Sequence, residues 1–426
     1  MMSTTPRLQL GCVADDFTGA GDIASFIGKS CERVLLINGV PEADYRPKGD
    51  YDAVVIALKS RTAPIKEAVG QTQRAFDWLR AQGAQKLYFK YCSTFDSTPR
   101  GNIGPVLDHL LERYDLPYTI LCPALPVNKR TVRDGILYVD GVPLAEGPMR
   151  FHPLNPMWDS RVRALMESQS RYRCYELTHD MYRLSDEEIL SKIAAWEREN
   201  EHFYIVVDYF EEAHGARIAK LFGHLPLYSG GSVLAQHLTE MLNSRKTPTP
   251  SANGAPRSVL LAGSCSEMTL KQVGRFLSSG GIAQRISPQK LLSGEQTAQS
   301  LWQFTKAHPG EDILFYSSQP HEEIAAIAQH SQSEISQALE CLMAQLGKRA
   351  VDSGVRRIIV AGGETSGAVM QAIGENAYAI GPSVAPGVPI LTPVSMDDVR
   401  LVLKSGNFGS ENFFIEALGA MDREGI

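Results

Sequence analysis

A chain of 426 residues, 43% hydrophobic and 21% charged, suggests two globular domains more readily than one core. A formal net charge of −6 gives no bulk attraction for nucleic acid or an anionic membrane, so an anionic substrate needs a local basic patch. The 7 cysteines are scattered without a C-x-x-C pair, no export signal opens the chain, and no apolar run nears the ~20 residues that span a bilayer, so a cytoplasmic protein without disulfides or zinc is expected.

The first predicted strand, Leu8–Ala14, runs into Ala14-Asp15-Asp16-Phe17-Thr18-Gly19-Ala20-Gly21-Asp22. Two acids before a small-residue turn that opens a helix can serve an anion, a hydroxyl or Mg²⁺, beyond simple capping. Gly28-Lys29-Ser30 ends like a phosphate-binding P-loop, but Ile23 stands where that motif needs glycine. A second strand, Ala53–Leu58, leads to Lys59-Ser60-Arg61. An amphipathic helix follows, with Ile65, Ala68, Val69, Thr72, Ala75, Phe76 and Leu79 on one face. The third strand, Lys86–Phe89, runs into Lys90 and a loop carrying Ser93, Thr94, Asp96, Arg100 and Asn102. The fourth, Tyr118–Leu121, precedes Asn128-Lys129-Arg130, and Tyr204–Val207 is the fifth. His152 is a further candidate ligand contact, and Gly230-Gly231-Ser232 reads as a turn and helix start.

The segment Arg245–Arg257, rich in Pro, Ser, Thr and Gly, predicts a linker. Domains are expected at 1–245 and 258–426, joined by 246–257. Beyond it, Ser258–Ala262 and Arg357–Ala361 predict buried strands, each followed by a glycine-containing loop: Gly263-Ser264-Cys265-Ser266 and Gly362-Gly363-Glu364-Thr365-Ser366-Gly367. A helical face carries Ile335, Ala338, Leu339, Leu342 and Leu346, and Lys404-Ser405-Gly406-Asn407-Phe408-Gly409 supplies a third such loop. Glycine loops at helix N-termini suit phosphates. The expected fold is two α/β domains, each a mainly parallel sheet flanked by helices, with the active site in the cleft between them.

The strings Ala14–Asp22, Lys59–Arg61, Tyr88–Val106, Cys122–Thr131, Gly263–Ser266, Ala361–Gly367 and Lys404–Gly409 together resemble the four-carbon acid sugar kinase family. Gly21 departs from the family's common threonine there. The form FKYCSTFDST at Phe89–Thr98 is similar to its 3-oxo-tetronate branch. The resemblance implies an N-terminal sugar-acid domain, a C-terminal nucleotide domain, and transfer of phosphate from ATP to the terminal hydroxyl of a 3-oxo-tetronate. D-threonate or erythronate is the alternative substrate within the family. It also implies that Ser264, Ser266, Gly362, Gly363, Glu364, Thr365 and Gly406 hold the nucleotide; the Glu364 carboxylate in its loop could hold Mg²⁺ directly or through water.

Phosphoryl transfer needs alignment and charge neutralisation. Asp16 is the first candidate to accept the hydroxyl proton, with Asp22 and Asp96 as alternatives, and Lys90 or Arg100 to stabilise the phosphoryl group. Lys59, Arg61, Lys90, Ser93 and Asn102 are expected around the substrate carboxylate. Asp15, Thr18, Ser60, Thr94, Arg100 and His152 are further substrate contacts. A homodimer is the default assembly. A nicotinamide-dependent dehydrogenase lacks its G-x-G-x-x-G fingerprint here; a non-catalytic sugar-acid-binding protein is the reading from another class.

Overall fold

The computed structural model describes residues 8–47, 49–151, 155–242, 258–317 and 332–423. The chain groups into two compact units, Met1–Lys246 and Thr247–Ile426. The predicted linker at 246–257 and His152 lie outside the described residues.

In the first unit the strands are β1 (Leu10–Ala14), β2 (Val34–Asn38), β3 (Ala53–Ala57), β4 (Lys86–Lys90), β5 (Tyr118–Cys122), β6 (Arg130–Arg133), β7 (Ile136–Val139), β8 (Val142–Pro143), β9 (Arg173–Leu177), β10 (Phe203–Val207) and β11 (Leu227–Gly230). The main sheet runs in the order β2-β3-β1-β4-β11-β5-β10-β9, and its pairings are parallel. Parallel strands are covered on both faces, which is why β1 reads Leu-Gly-Cys-Val-Ala and is buried throughout. The helix Ile65–Ala81 buries Ala68, Thr72, Ala75, Phe76 and Leu79 as its period predicts, while Ile65, in its first turn, stays 43% exposed. An antiparallel β6-β7-β8 ribbon turns at Asp134-Gly135 and Asp140-Gly141, all four in the left-handed region.

The second unit contains β12 (Ser258–Ala262), β13 (Ile282–Arg285), β14 (Ile313–Tyr316), β15 (Arg357–Ala361), β16 (Ala377–Ala385), β17 (Val388–Pro393) and β18 (Arg400–Lys404). Their order is β13-β14-β12-β15-β18-β17-β16. The first five in that order pair in parallel, and β17 pairs antiparallel with β18 and β16. Leu260, Phe276, Ile359, Val402, Phe413 and Met421 share one buried cluster. Each such side chain contributes roughly 1.5–3 kcal/mol on burial. No helix among the described residues is long and apolar enough to cross a membrane.

Candidate active site

Parallel strands bring their carboxyl ends to one edge, and loops diverge where the strand order reverses. In the first unit β1 lies between β3 and β4. The loops after these three strands therefore meet, and they carry most of the residues singled out in the sequence.

Asp16 caps the helix Phe17–Ile27. Its Oδ1 accepts from the Gly19 N–H at 2.9 Å and its Oδ2 from the Thr18 hydroxyl at 2.7 Å. Thr18 thus serves the aspartate directly. Arg61 forks onto Asp15, with Nε to Oδ2 at 3.0 Å and Nη2 to Oδ1 at 2.9 Å. The same Nη2 lies 2.9 Å from Asp16 Oδ1, and Nη1 lies 3.8 Å from Asp96 Oδ2. One guanidinium therefore organises three aspartates. Burial pushes the Asp15 carboxyl up, and Arg61 recovers only part of that shift. Burial also opposes ionisation of Asp16, but Arg61, Lys90, the Thr18 hydroxyl and the Gly19 N–H outweigh it and hold that carboxyl below the usual range. Asp16 is the partly exposed member of the pair, with side-chain exposure of 26% against 6% for Asp15.

Lys90 ends β4 in a buried position. Its ammonium donates to the Tyr91 carbonyl at 2.8 Å and lies 3.8 Å from Asp22 Oδ2. A Cβ on Gly19 would come within 2.3 Å of Asp16 Oδ1 and 3.3 Å of the Lys90 ammonium, so glycine alone lets these groups close up. Asp22 accepts from the Ser232 hydroxyl, and its Oδ1 has no hydrogen-bond partner among the described residues. Burial raises its carboxyl to about 6 against the pull of Lys90.

Ser60 and Asn102 line a small pocket with Asp15, Arg61, Asp96 and Ser97. The Asn102 side-chain nitrogen donates to the carbonyls of Ser60, Arg61 and Ala63 at 2.8, 3.2 and 2.8 Å. Its amide nitrogen thus holds the loop after β3 in place. Thr94 is buried, with its hydroxyl 3.0 Å from Cys92 Sγ, and Ser93 is half-buried. Lys59 and Arg100 are exposed.

Three contributors escaped the sequence reading. Ser232 follows an uninformative Gly-Gly and meets Asp22 only through the fold. Gln169 Oε1 accepts from the Ser97 hydroxyl and the Gly104 N–H, each at 3.0 Å, tying the Asp96 loop to the helix Ile103–Tyr114. Phe95 is fully buried at a φ of 47°, edge-on to Tyr91 with ring centroids 5.3 Å apart. A bulky residue held in the left-handed region beside a site aspartate is local strain maintained by packing.

In the second unit β12, β15 and β18 are adjacent and parallel. Their following loops meet as well. Ser266 caps the helix Glu267–Ser278 by accepting from the Thr269 N–H at 3.2 Å, and its own N–H donates to the Ser264 hydroxyl at 3.2 Å. Gly362 has a φ of 129° and opens the helix Gly363–Ile373. A Cβ on Gly406 would stand 2.5 Å from Ser264 Oγ and 2.8 Å from Ser266 Oγ; one on Gly263 would stand 2.2 Å from Thr365 Oγ1. Such a cradle, backed by two helix N-termini, fits the phosphates of a nucleotide. Gly363 and Glu364 are exposed at its edge. A single carboxylate suits a Mg²⁺ ion that arrives on phosphates, because Mg²⁺ takes few protein ligands.

One other group of potential metal ligands, Asp134, His179 and Asp208, lies in the first unit. Asp208 accepts there from the backbone N–H of Asp134, Gly135 and His179 at 2.8, 3.0 and 2.8 Å, fastening the β6–β7 turn to the ends of β9 and β10.

Comparison with known proteins agrees with this division. Residues 10–238 match the family described as a sugar-binding N-terminal domain, and residues 259–414 match that described as a nucleotide-binding C-terminal domain. The chain is 42% identical over 420 residues to the 3-oxo-tetronate kinase of Salmonella typhimurium, covering 96% of this chain and 98% of that one. It is 40% identical over 427 residues to the 3-oxo-tetronate kinase of Brucella melitensis, covering 98% and 97%. A solved protein from Salmonella typhimurium LT2 superposes with a TM-score of 0.85 at 40% identity, covering 96% and 98% of the two chains. A solved Haemophilus influenzae protein gives 0.77 at 36% identity, covering 96% and 99%. With both parts matched and relatives alike over nearly their full length, the chain belongs to the four-carbon acid sugar kinase family, alongside the 3-oxo-tetronate kinases.

Proposed function

We propose that this protein transfers the γ-phosphate of ATP to the C4 hydroxyl of a 3-oxo-tetronate, giving the 4-phosphate and ADP. The observation that carries the reading is the full-length likeness to 3-oxo-tetronate kinases, which spans both loop clusters. ATP as the phosphoryl donor favours a cytoplasmic location.

The first unit would hold the acceptor. Asp16 is the proton acceptor, because it is the reachable carboxylate and is kept ionised by Arg61 and Lys90. A weakly basic carboxylate suffices, since in a loose transition state the hydroxyl proton moves late. The substrate carboxylate would be held by Arg61 and the first turn of the helix Ile103–Tyr114, where Asn102 makes no capping bond and the pocket ends. Lys90 places positive charge where the transferring phosphoryl group accumulates negative charge, and Asp22 with Ser232 fixes it there. Nothing in this arrangement needs a covalent intermediate; orientation and charge do the work.

The second unit would hold the donor, with Ser264, Ser266, Gly362, Thr365 and Gly406 around the phosphates and Glu364 toward their metal. Bound Mg²⁺ would neutralise phosphate charge there.

A coupled ADP-release assay tests the reading, comparing 3-oxo-tetronates with D-threonate and with D- and L-erythronate, and locating the product's phosphate by phosphorus NMR. Turnover confined to the 3-oxo acids with phosphate on C4 is the expected result. Turnover on the plain tetronates alone would move the substrate to the alternative branch. No turnover on any four-carbon acid would overturn the proposal.

A further inference from the structure

Lys404, the last residue of β18, is fully buried, yet its ammonium faces only neutral groups. Its Nζ donates to the Gly406 carbonyl at 2.7 Å and to the Thr269 hydroxyl at 3.1 Å, and lies 5.8 Å from the centre of the Phe413 ring. The same hydroxyl donates to the Gly406 carbonyl at 2.8 Å, so the three groups form a closed knot.

Among the described residues no carboxylate forms an ion pair with Lys404. The charged groups on the elements packed around it are engaged elsewhere. On the helix Glu267–Ser278, Glu267 pairs with Lys271 at 2.9 Å, and Lys271 also reaches Glu411 at 3.8 Å. On the helix Phe413–Arg423, Glu416 accepts from the Ser410 hydroxyl at 2.8 Å and Asp422 pairs with Arg357 of β15. β17, on the other side of β18, carries no charged residue. Glu364 stands exposed in the first turn of the helix Gly363–Ile373.

A buried cation without a counter-charge is costly unless an anion visits it. Both of its hydrogen-bond partners belong to the glycine–serine cradle: Thr269 bonds the capping Ser266, and Gly406 lies against the Ser264 and Ser266 hydroxyls. We propose that Lys404 is the phosphate-binding cation of the second unit, latching Gly406 and Thr269 in the nucleotide-free protein and turning to the phosphates when nucleotide enters. This rests on the nucleotide-site reading above.

A consequence follows for protons. Burial alone lowers the Lys404 ammonium to about 7, so above that pH the free protein holds it largely neutral. Phosphate charge favours the protonated form, so binding draws a proton from solution onto the Nζ lone pair.

The test is calorimetric titration of the full chain with Mg·ATP at pH 8, in two buffers of different ionisation heat. The nucleotide's own phosphates are fully ionised there. The expected result is uptake of about one proton per nucleotide. Lys404→Met should abolish the uptake and weaken binding at least tenfold, while ligand-free thermal stability is unchanged or higher because no ion pair is lost. Lys404→Arg should retain most affinity without the uptake, since arginine is already protonated. Nucleotide binding with no uptake by the unaltered chain overturns the proposal while leaving the nucleotide site standing, and that measurement holds even if a variant fails to fold. Tight nucleotide binding by Lys404→Met does the same. No nucleotide binding to the unaltered chain would overturn the site itself, and this proposal with it.

Discussion

The two loop clusters solve opposite electrostatic problems. In the first unit Asp15, Asp16, Asp22 and Asp96 surround two cations, Arg61 and Lys90, and ionic contacts hold both cations in place. In the second, hydroxyls and backbone surround a single buried lysine without an ion-pair partner among the described residues. A site that must orient hydroxyls gains from carboxylates held rigidly by an arginine fork. A site that must receive several phosphate charges gains from an excess of donors and a lysine that has no carboxylate partner. The difference is one of electrostatics: the first cluster's charges are paired within the protein, whereas the buried lysine of the second has no ion-pair partner among the described residues.

That contrast can be broken most sharply at Asp16. Asp16→Asn should lower kcat by about 10²–10⁴-fold, the range for loss of a general base. Mg·ATP affinity should be unchanged, because the residue belongs to the acceptor half. Steady-state kinetics with a parallel binding titration checks both, and a kcat within a few-fold of normal would remove Asp16 from the role. The second half is probed at Gly362, whose φ of 129° no other residue adopts easily. Gly362→Ala adds strain of about 1–3 kcal/mol. Nucleotide affinity should fall roughly 5- to 150-fold, with substrate-acid affinity unaltered. Equal weakening of both ligands would mean the two halves are not separable in this way.

The smallest effect sharpens the first half by pH. The folded Asp22 carboxyl titrates at about 6, above its ordinary value of 3.8, so it becomes protonated as pH falls through about 6. Lys90 then loses its counter-charge and the phosphoryl site its fixed cation. The kcat should fall roughly twofold at that pH and further below it. Stability runs the other way: the native state binds the extra proton, so this group stabilises the fold at low pH and loses that contribution as pH rises from 3.8 through 6. Asp22→Asn should flatten the acid limb of the kcat profile; an unchanged limb would assign it to another group.

Much of this was legible in the chain. Ser258–Ala262 and Arg357–Ala361 are strands with the predicted bounds, because a strand buried on both faces reads as an unbroken apolar run. The acids at Asp15 and Asp16 and the cation at Arg61 were found by the same logic, as residues just past such runs. The β6–β8 ribbon was missed although two Asp-Gly pairs announced it. β16 was missed because its half-buried pattern lacks that apolar signature, and β17, although mostly buried, because two prolines break up its apolar run. Arg61 and Asn102 looked alike as substrate contacts. Only the fold distinguishes a guanidinium at a pocket wall from an amide tied to three carbonyls. Lys404 was read only as the start of a glycine-containing loop and given no role of its own, since burial at a strand end depends on helices distant in sequence.

The position of β11 has a consequence for how the site comes into being during synthesis. It inserts between β4 and β5, pairing Leu87 with Leu227. Until the ribosome has released that last strand, β4 and β5 present open edges to one another and to any neighbouring chain. Ser232, two residues beyond β11, cannot reach Asp22 before then. Contacts that span such separations form slowly and leave sticky intermediates. The nascent first unit therefore exposes these strand edges until β11 is in place, and it cannot bring Ser232 to Asp22 until its sheet is closed.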